Sequence, residues 1–256
     1  MRVARTPGTL SAFVLHSYAW SESSLILDLY TREQGRLAVA AKGAKRPHSQ
    51  LRAVLLPFQR VNVSLGRVPS GEGASDVQTL RGAEWAGGAA MLTGAALFSG
   101  FYLNELLMKL LARQDPHPVL FDVYAATLPH LADGDDARVQ AALRAFELSL
   151  LQELGVLPDL SLVTLTQQAV AEGSSYALLA EAGVAAPRST DVALTGATLI
   201  GLQAALQHGS LAALQQACAR ALPELKAALR ALLHYHLGSA VLRTRQVMVD
   251  VQNLER

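Results

Sequence analysis

Cysteine is almost missing from this 256-residue sequence, which has only Cys218. A single cysteine excludes an intramolecular disulfide and any zinc site built on a cysteine cluster. Cys218 stands in an Ala/Leu/Gln-rich helical stretch, where a lone thiol is expected to act as a small buried apolar group. Charge is scarce too, at 17% of residues against 51% hydrophobic, and no low-complexity tract interrupts the chain. A compact, well-buried fold is expected rather than disorder. The stretch closest to a membrane span, Ala89 to Ala112, carries Asn104, Glu105 and Lys109 and reads as a buried helix, so no membrane partner is expected. The opening MRVARTPGTL lacks the apolar core and small-residue cleavage site of a secretory signal, and a cytoplasmic location is the expectation.

Catalytic patterns are also lacking. The sequence has no HExxH, no nucleophile elbow, no P-loop and no Rossmann fingerprint. Gly66, Gly71 and Gly73 lie in a Gly/Ser/Pro stretch that no helical run follows, which describes a flexible hairpin loop. The run Asp133-Gly134-Asp135-Asp136 lacks the spaced ligands and closing Glu of a calcium loop and is expected to be an exposed turn between helices. His234 and His236, two apart, diverge on a helix and do not make a metal pair. No cofactor, metal or enzymatic activity is expected. A hydrolase or nuclease reading has only scattered carboxylates such as Asp28, Glu33 and Asp76 behind it.

The most informative absence is of acid. From Gln34 to Gly71 stand Arg36, Lys42, Lys45, Arg46, Arg52, Arg60 and Arg67, with no Asp or Glu among them. Surfaces normally intersperse both signs, so an uncompensated run favours a polyanion such as a phosphate backbone. His48 either adds a donor or is incidental. Across residues 1–80 ten Lys/Arg face five Asp/Glu, and across the remainder twelve face sixteen, so the net charge of +1 conceals a basic first third and an acidic rest. Among the sparse aromatics of this part, Phe13 and Phe58 sit in apolar strand contexts and are expected in the core. Tyr18 and Trp20, in the polar loop His16 to Ser23, are the candidates for stacking on bases.

Period then gives the architecture. Leu25, Leu27 and Leu29 alternate with Ile26, Asp28 and Tyr30, and Val61, Val63 and Leu65 alternate with Arg60, Asn62 and Ser64. That is the pattern of half-buried strands. With further candidates at 9–16, 36–42 and 76–84 this makes about five strands, the number of an OB-type barrel. Beyond Gly87 the period turns helical, with helices expected over 89–112, 117–131, around Leu143–Leu154, 198–206, 210–221 and from Pro223 to Gly238. Residues 157–197 break the rhythm and read as an irregular insert or a small subdomain. The expected fold is therefore α+β and multidomain, with a five-stranded OB barrel over 1–84 and a mostly helical domain over 85–256. Lys226, Arg230, Arg243 and Arg245 form a second basic cluster. They either extend a DNA path or satisfy a helix dipole.

Several collinear blocks resemble one family, the RecO recombination mediators. ESSLILDLYTREQGRL from Glu22 and AKGAKRPHSQLRAVLLPF from Ala41 are similar to its N-terminal barrel. YLNELLMKLL, DPHPVLFDVYAATL and FELSLLQELGVLPDL resemble its helical domain, and LHYHLGSAVLRTRQV resembles its closing helices. The resemblance implies a nucleoid-associated DNA repair protein that binds single- and double-stranded DNA and anneals complementary strands. It also implies recognition of the C-terminal tail of single-strand-binding protein and help, with RecR, in loading RecA. An alternative is a protein-interaction scaffold that mainly docks RecR and that acidic tail. The sequence departs from the family in one place: many members carry two Cys-x-x-Cys pairs after the PDL block, and here 161–197 contains no cysteine. Zinc is not carried over, and apolar packing and turns are expected to hold this segment.

Overall fold

The computed structural model describes residues 8–66, 76–88, 91–238, 242–244 and 246–247. The chain divides into two compact units at Leu128/Pro129.

The first unit is built on a closed barrel. Its strands are β1 (Leu10–Ala19), β2 (Leu25–Thr31), β3 (Gly35–Ala41), β4 (Gln59–Leu65) and β5 (Gln78–Gly88), with the short helix α1 (Leu51–Val54) between β3 and β4. The order round the barrel is β1-β2-β3-β5-β4, with β3 and β5 parallel and the other pairs antiparallel. This is the OB arrangement. Alternation decides which side chains point inward. Leu27, Leu29, Leu37, Val39, Ala41, Val61, Val63 and Leu65 fill one cluster, with Leu25 and, from α1, Leu51 and Val54 packed against it.

The expectation of half-buried strands needs correction. In β2 the outward set is buried as well, with Asp28 and Tyr30 both inaccessible. Two helices, α2 (Gly94–Leu110) and α3 (Pro118–Leu131), explain this. Rings of Phe121 and Tyr124 stand 5.2 and 5.0 Å from Phe13, and 5.4 and 6.2 Å from Tyr30. Each such pair contributes about 0.5–1.5 kcal/mol beyond burial. The expected helix over 89–112 is observed from Gly94, and its Asn104 is buried with a purpose. The amide donates to the Leu15 carbonyl (2.9 Å) and accepts from the Tyr124 hydroxyl (2.6 Å). Among the described residues no helix is long and apolar enough to cross a membrane.

The segment joining α2 to α3 completes the barrel wall. Among the described residues β5 pairs with β3 at Val39 and Ala40 alone. Lower down, Arg36 bridges to Arg113, and the Gln114 amide donates to the Arg36 carbonyl (2.9 Å). Gly35 makes this approach possible. It sits at φ +69°, and a Cβ there would lie 2.0 Å from the Asp115 carbonyl oxygen.

The second unit contains α4 (Asp136–Glu153), β6 (Ser175–Leu179), β7 (Gly183–Ala185), β8 (Ala193–Thr195), α5 (Gly196–His208), α6 (Leu211–Cys218), a 3-10 turn at Ala219–Ala221 and α7 (Leu222–Leu237). The acidic turn after α3 caps α4, since the Asp135 carboxylate accepts from the Ala137 amide (2.9 Å). Residues 157–197, read from sequence as an irregular insert or a small subdomain, contain a small antiparallel sheet in the order β7-β6-β8. Polar stitching organises the loop before it. Thr164 donates its amide to the Val184 carbonyl and accepts the Val184 amide on Oγ1, both at 2.9 Å. Gly183 admits that side chain, because a Cβ there would meet Thr164 Oγ1 at 2.2 Å. Cys218 is fully buried, and burial, with Glu147 nearby, pushes its thiol up to about 12.

Candidate nucleic-acid interface

The side chains proposed from sequence do not all fall on one surface. Lys42, Lys45, Arg46, His48 and Arg52 are exposed, on the loop after β3 and on α1. Lys42, Arg46, His48 and Ser49 line one open cleft, and Lys45 and Arg52 line a second with Leu25, Ala44, Leu51 and Leu55. No described carboxylate forms an ion pair with Lys42, Lys45, Arg46 or Arg52. The charge of this barrel end is therefore uncompensated among the described residues, and a polyanion would meet it without first displacing a partner.

This loop is fastened to the β1–β2 hairpin. The Lys45 amide donates to the Ser23 carbonyl (3.0 Å), the Lys45 ammonium to the Ser21 carbonyl (3.0 Å), and the Gly43 amide to Ser24 Oγ (3.4 Å). Within the hairpin the Trp20 amide reaches the Ser24 carbonyl (3.2 Å) and the Ser24 amide reaches Ser21 Oγ (3.1 Å). The hairpin carries both stacking candidates, Tyr18 at 47% exposed and Trp20 at 59%. Basic and aromatic groups thus share one edge of the barrel because three hydrogen bonds hold their loops together.

Arg36 leaves this set. It is only 8% exposed, and its guanidinium donates to the Met108 and Leu111 carbonyls at the end of α2, the latter at 2.8 Å. It also faces Asp28 Oδ1 at 3.6 Å. Burial lowers its pKa, partly offset by Asp28. Its charge caps a helix and balances a buried acid, so it is not part of a polyanion face. Arg60 also stands apart. It points outward from β4, donates Nε–H to Ser11 Oγ (2.8 Å) and lies over the Phe121 ring at 5.8 Å. Arg67 and Arg245 lie outside the described residues. Lys226 and Arg230 are exposed on α7, and Arg243 is exposed beyond it; all three belong to the second unit. Lys226 sits in the early part of α7, whose last turn carries His234 and His236, so the C-terminal dipole does not account for it.

Sequence reasoning missed a cluster on the outer wall. His16 and Tyr18 stack edge-on at 4.4 Å. The Tyr18 phenol is held above its ordinary pKa by burial and then by Asp28. Arg113, half exposed, approaches Asp28 Oδ1 to 3.5 Å. The available signal was Asp28 itself, since an acid in the middle of an apolar strand requires a partner. With Asp28, Arg36, Ala38 and Ala40 all buried, the β2–β3 wall that OB barrels commonly offer to ligands is largely closed. The hairpin and α1 end stays accessible.

Fold and surface together define an OB-barrel protein with a basic, aromatic-bearing loop edge and a helical second unit. The family model described as Recombination protein O N terminal matches residues 6–87, and that described as Recombination protein O C terminal matches 91–246. The chain is 52% identical over 245 residues to the DNA repair protein RecO of Polaromonas naphthalenivorans, covering 95% of this chain and 96% of the relative. It is 49% identical to that of Delftia acidovorans (95% and 96% covered) and 48% identical to that of Verminephrobacter eiseniae (99% and 98% covered). The chain belongs to the recombination protein O family.

Proposed function

We propose that this protein acts in DNA repair and recombination by binding single- and double-stranded DNA at the hairpin and α1 end of its barrel. Lys42, Lys45, Arg46 and Arg52 neutralise phosphates, His48 adds a donor, and Tyr18 and Trp20 stack on unpaired bases. Bound strands are annealed, and recombinase loading onto DNA coated with single-strand-binding protein follows through contacts with RecR and with that protein's acidic C-terminal tail. Binding carries the activity, and no bond is made or broken.

The observation behind this reading is the set of exposed cations without described counter-charges, on a loop tied by hydrogen bonds to an aromatic hairpin. Phosphate contacts of this kind give affinity without sequence information, which suits a mediator that must act at any break. The test is fluorescence anisotropy of a labelled oligothymidylate with the full chain, beside the quadruple variant Lys42→Glu, Lys45→Glu, Arg46→Glu, Arg52→Glu. Loss of most affinity for both single strands and duplex, with the melting temperature retained, is expected. An unchanged affinity in the quadruple variant would overturn the site.

A further inference from the structure

The sequence has two tryptophans, and both are exposed on the barrel. Tryptophan is ordinarily highly buried, so two open indoles in a chain with 5% aromatics ask for a reason. Trp20 has one in the hairpin described above. Trp85, at 65% exposed, has been given none. It lies on β5 opposite Val61, two pairs beyond Ala83 opposite Val63. Ala83 packs against the barrel core together with Leu51 and Val54 of α1. By strand parity Trp85 shares a face with Ala83 and with its buried partner Val61, yet its ring stays exposed toward the start of β4, into which α1 leads. That end also carries Arg52 and the basic loop.

The ring is oriented by its nitrogen. Trp85 Nε1–H donates to Gln59 Oε1 at 3.2 Å, and Gln59 opens β4 after α1. Anchoring at one edge leaves the ring open to solvent. An apolar peptide would need a surrounding groove, whereas a flat, singly anchored indole on a strand that packs against the Arg52-bearing α1 matches a base on a phosphate backbone.

We propose that Trp85 is a stacking platform for an unpaired nucleobase, so that a single strand crosses the barrel end from the Tyr18–Trp20 hairpin, past Lys45 and Arg52, to Trp85. This rests on the DNA-binding reading above and adds to it a preference for single strands, because paired bases cannot offer a free face to the ring.

Two measurements on the full chain test it. First, Trp85→Ala weakens oligothymidylate binding about tenfold while duplex affinity stays within about twofold, and Trp85→Tyr restores most of the loss. A merely structural role would lower both affinities together. Second, in Trp20→Phe the remaining indole emission, which belongs to Trp85, is quenched on saturation with oligothymidylate. If the unmodified protein binds neither DNA form, the underlying reading fails and this one with it. If it binds single strands but Trp85→Ala keeps full affinity and the Trp85 emission is unmoved, this inference alone is overturned.

Discussion

The Lys45 ammonium donates to the Ser21 carbonyl at 3.0 Å, one residue beyond the exposed Trp20. A cation proposed to meet phosphate is therefore also a strut for the hairpin that holds an aromatic ring. An ammonium has three donors, so the strut leaves donors free for a ligand. Lys45→Ala is expected to cost more single-strand affinity than Lys42→Ala, although each removes one positive charge. Anisotropy titrations of the two variants at one salt concentration decide this, and equal losses would show that the tie has no part in binding.

Salt gives a second check. Each phosphate contact on a single strand contributes about 0.7 to the slope of log affinity against log salt. Replacing Lys42, Lys45, Arg46 and Arg52 together should flatten that slope by about 3. A steep slope that survives the replacement would move the phosphate contacts elsewhere on the protein.

Arg36 is predicted to matter for stability and not for binding. Arg36→Ala removes a buried cation, strips two helix-end carbonyls of their donor and takes from Asp28 its buried counter-charge, leaving it the half-exposed Arg113 and the Tyr18 phenol. Breaking a buried pair from one side costs about 3 kcal/mol. Chemical denaturation should show that loss, while the folded fraction binds DNA with unchanged affinity.

Gly35→Ala should destabilise the first unit by about 2 kcal/mol or more, combining positive-φ strain with the collision against the Asp115 carbonyl. Gly134→Ala is the control. A Cβ at Gly134 meets nothing within 4 Å, and its melting temperature should stay close to that of the parent.

The Cys218 thiol should be inert to a thiol reagent at pH 8 in the native protein and should react on unfolding, since burial holds its pKa at about 12 against an ordinary 9.0. The raised value sets the sign of the pH dependence. The contribution is fully present below about pH 9 and declines as pH rises toward 12, because the unfolded thiol ionises first. Cys218→Ala should flatten stability against pH within that window alone.

The barrel was legible because alternation is its cause: Leu25, Leu27 and Leu29 point inward by parity, whatever lies outside. What lies outside was not legible. Tyr30 and Asp28 look like a solvent face until Phe121, Tyr124 and Arg113 arrive from far along the chain, and local period carries no information about such partners. The same limit explains Arg36, which is indistinguishable in sequence from Lys42 and which register places opposite Tyr30 and diagonally across from Asp28. Residues 157–197 were opaque for another reason. Strands of three to five residues are too short to establish a period, and the Thr164 stitch depends on a contact with Gly183. The loop cations Lys42 to Arg52 were readable because their signal was compositional, an unbroken run without acid.

The pairing of Arg36 with Arg113 and Gln114 bears on how this protein tolerates being cut. A fragment ending with β5 would leave half of β3 with open hydrogen-bonding groups and would uncover Phe13 and Tyr30. Such a piece presents an adhesive edge and an oily flank, and two copies would be driven to join along them. Proteolysis between the barrel and α2 should thus yield clumped material, whereas a piece carried through to Leu128 keeps its own lining.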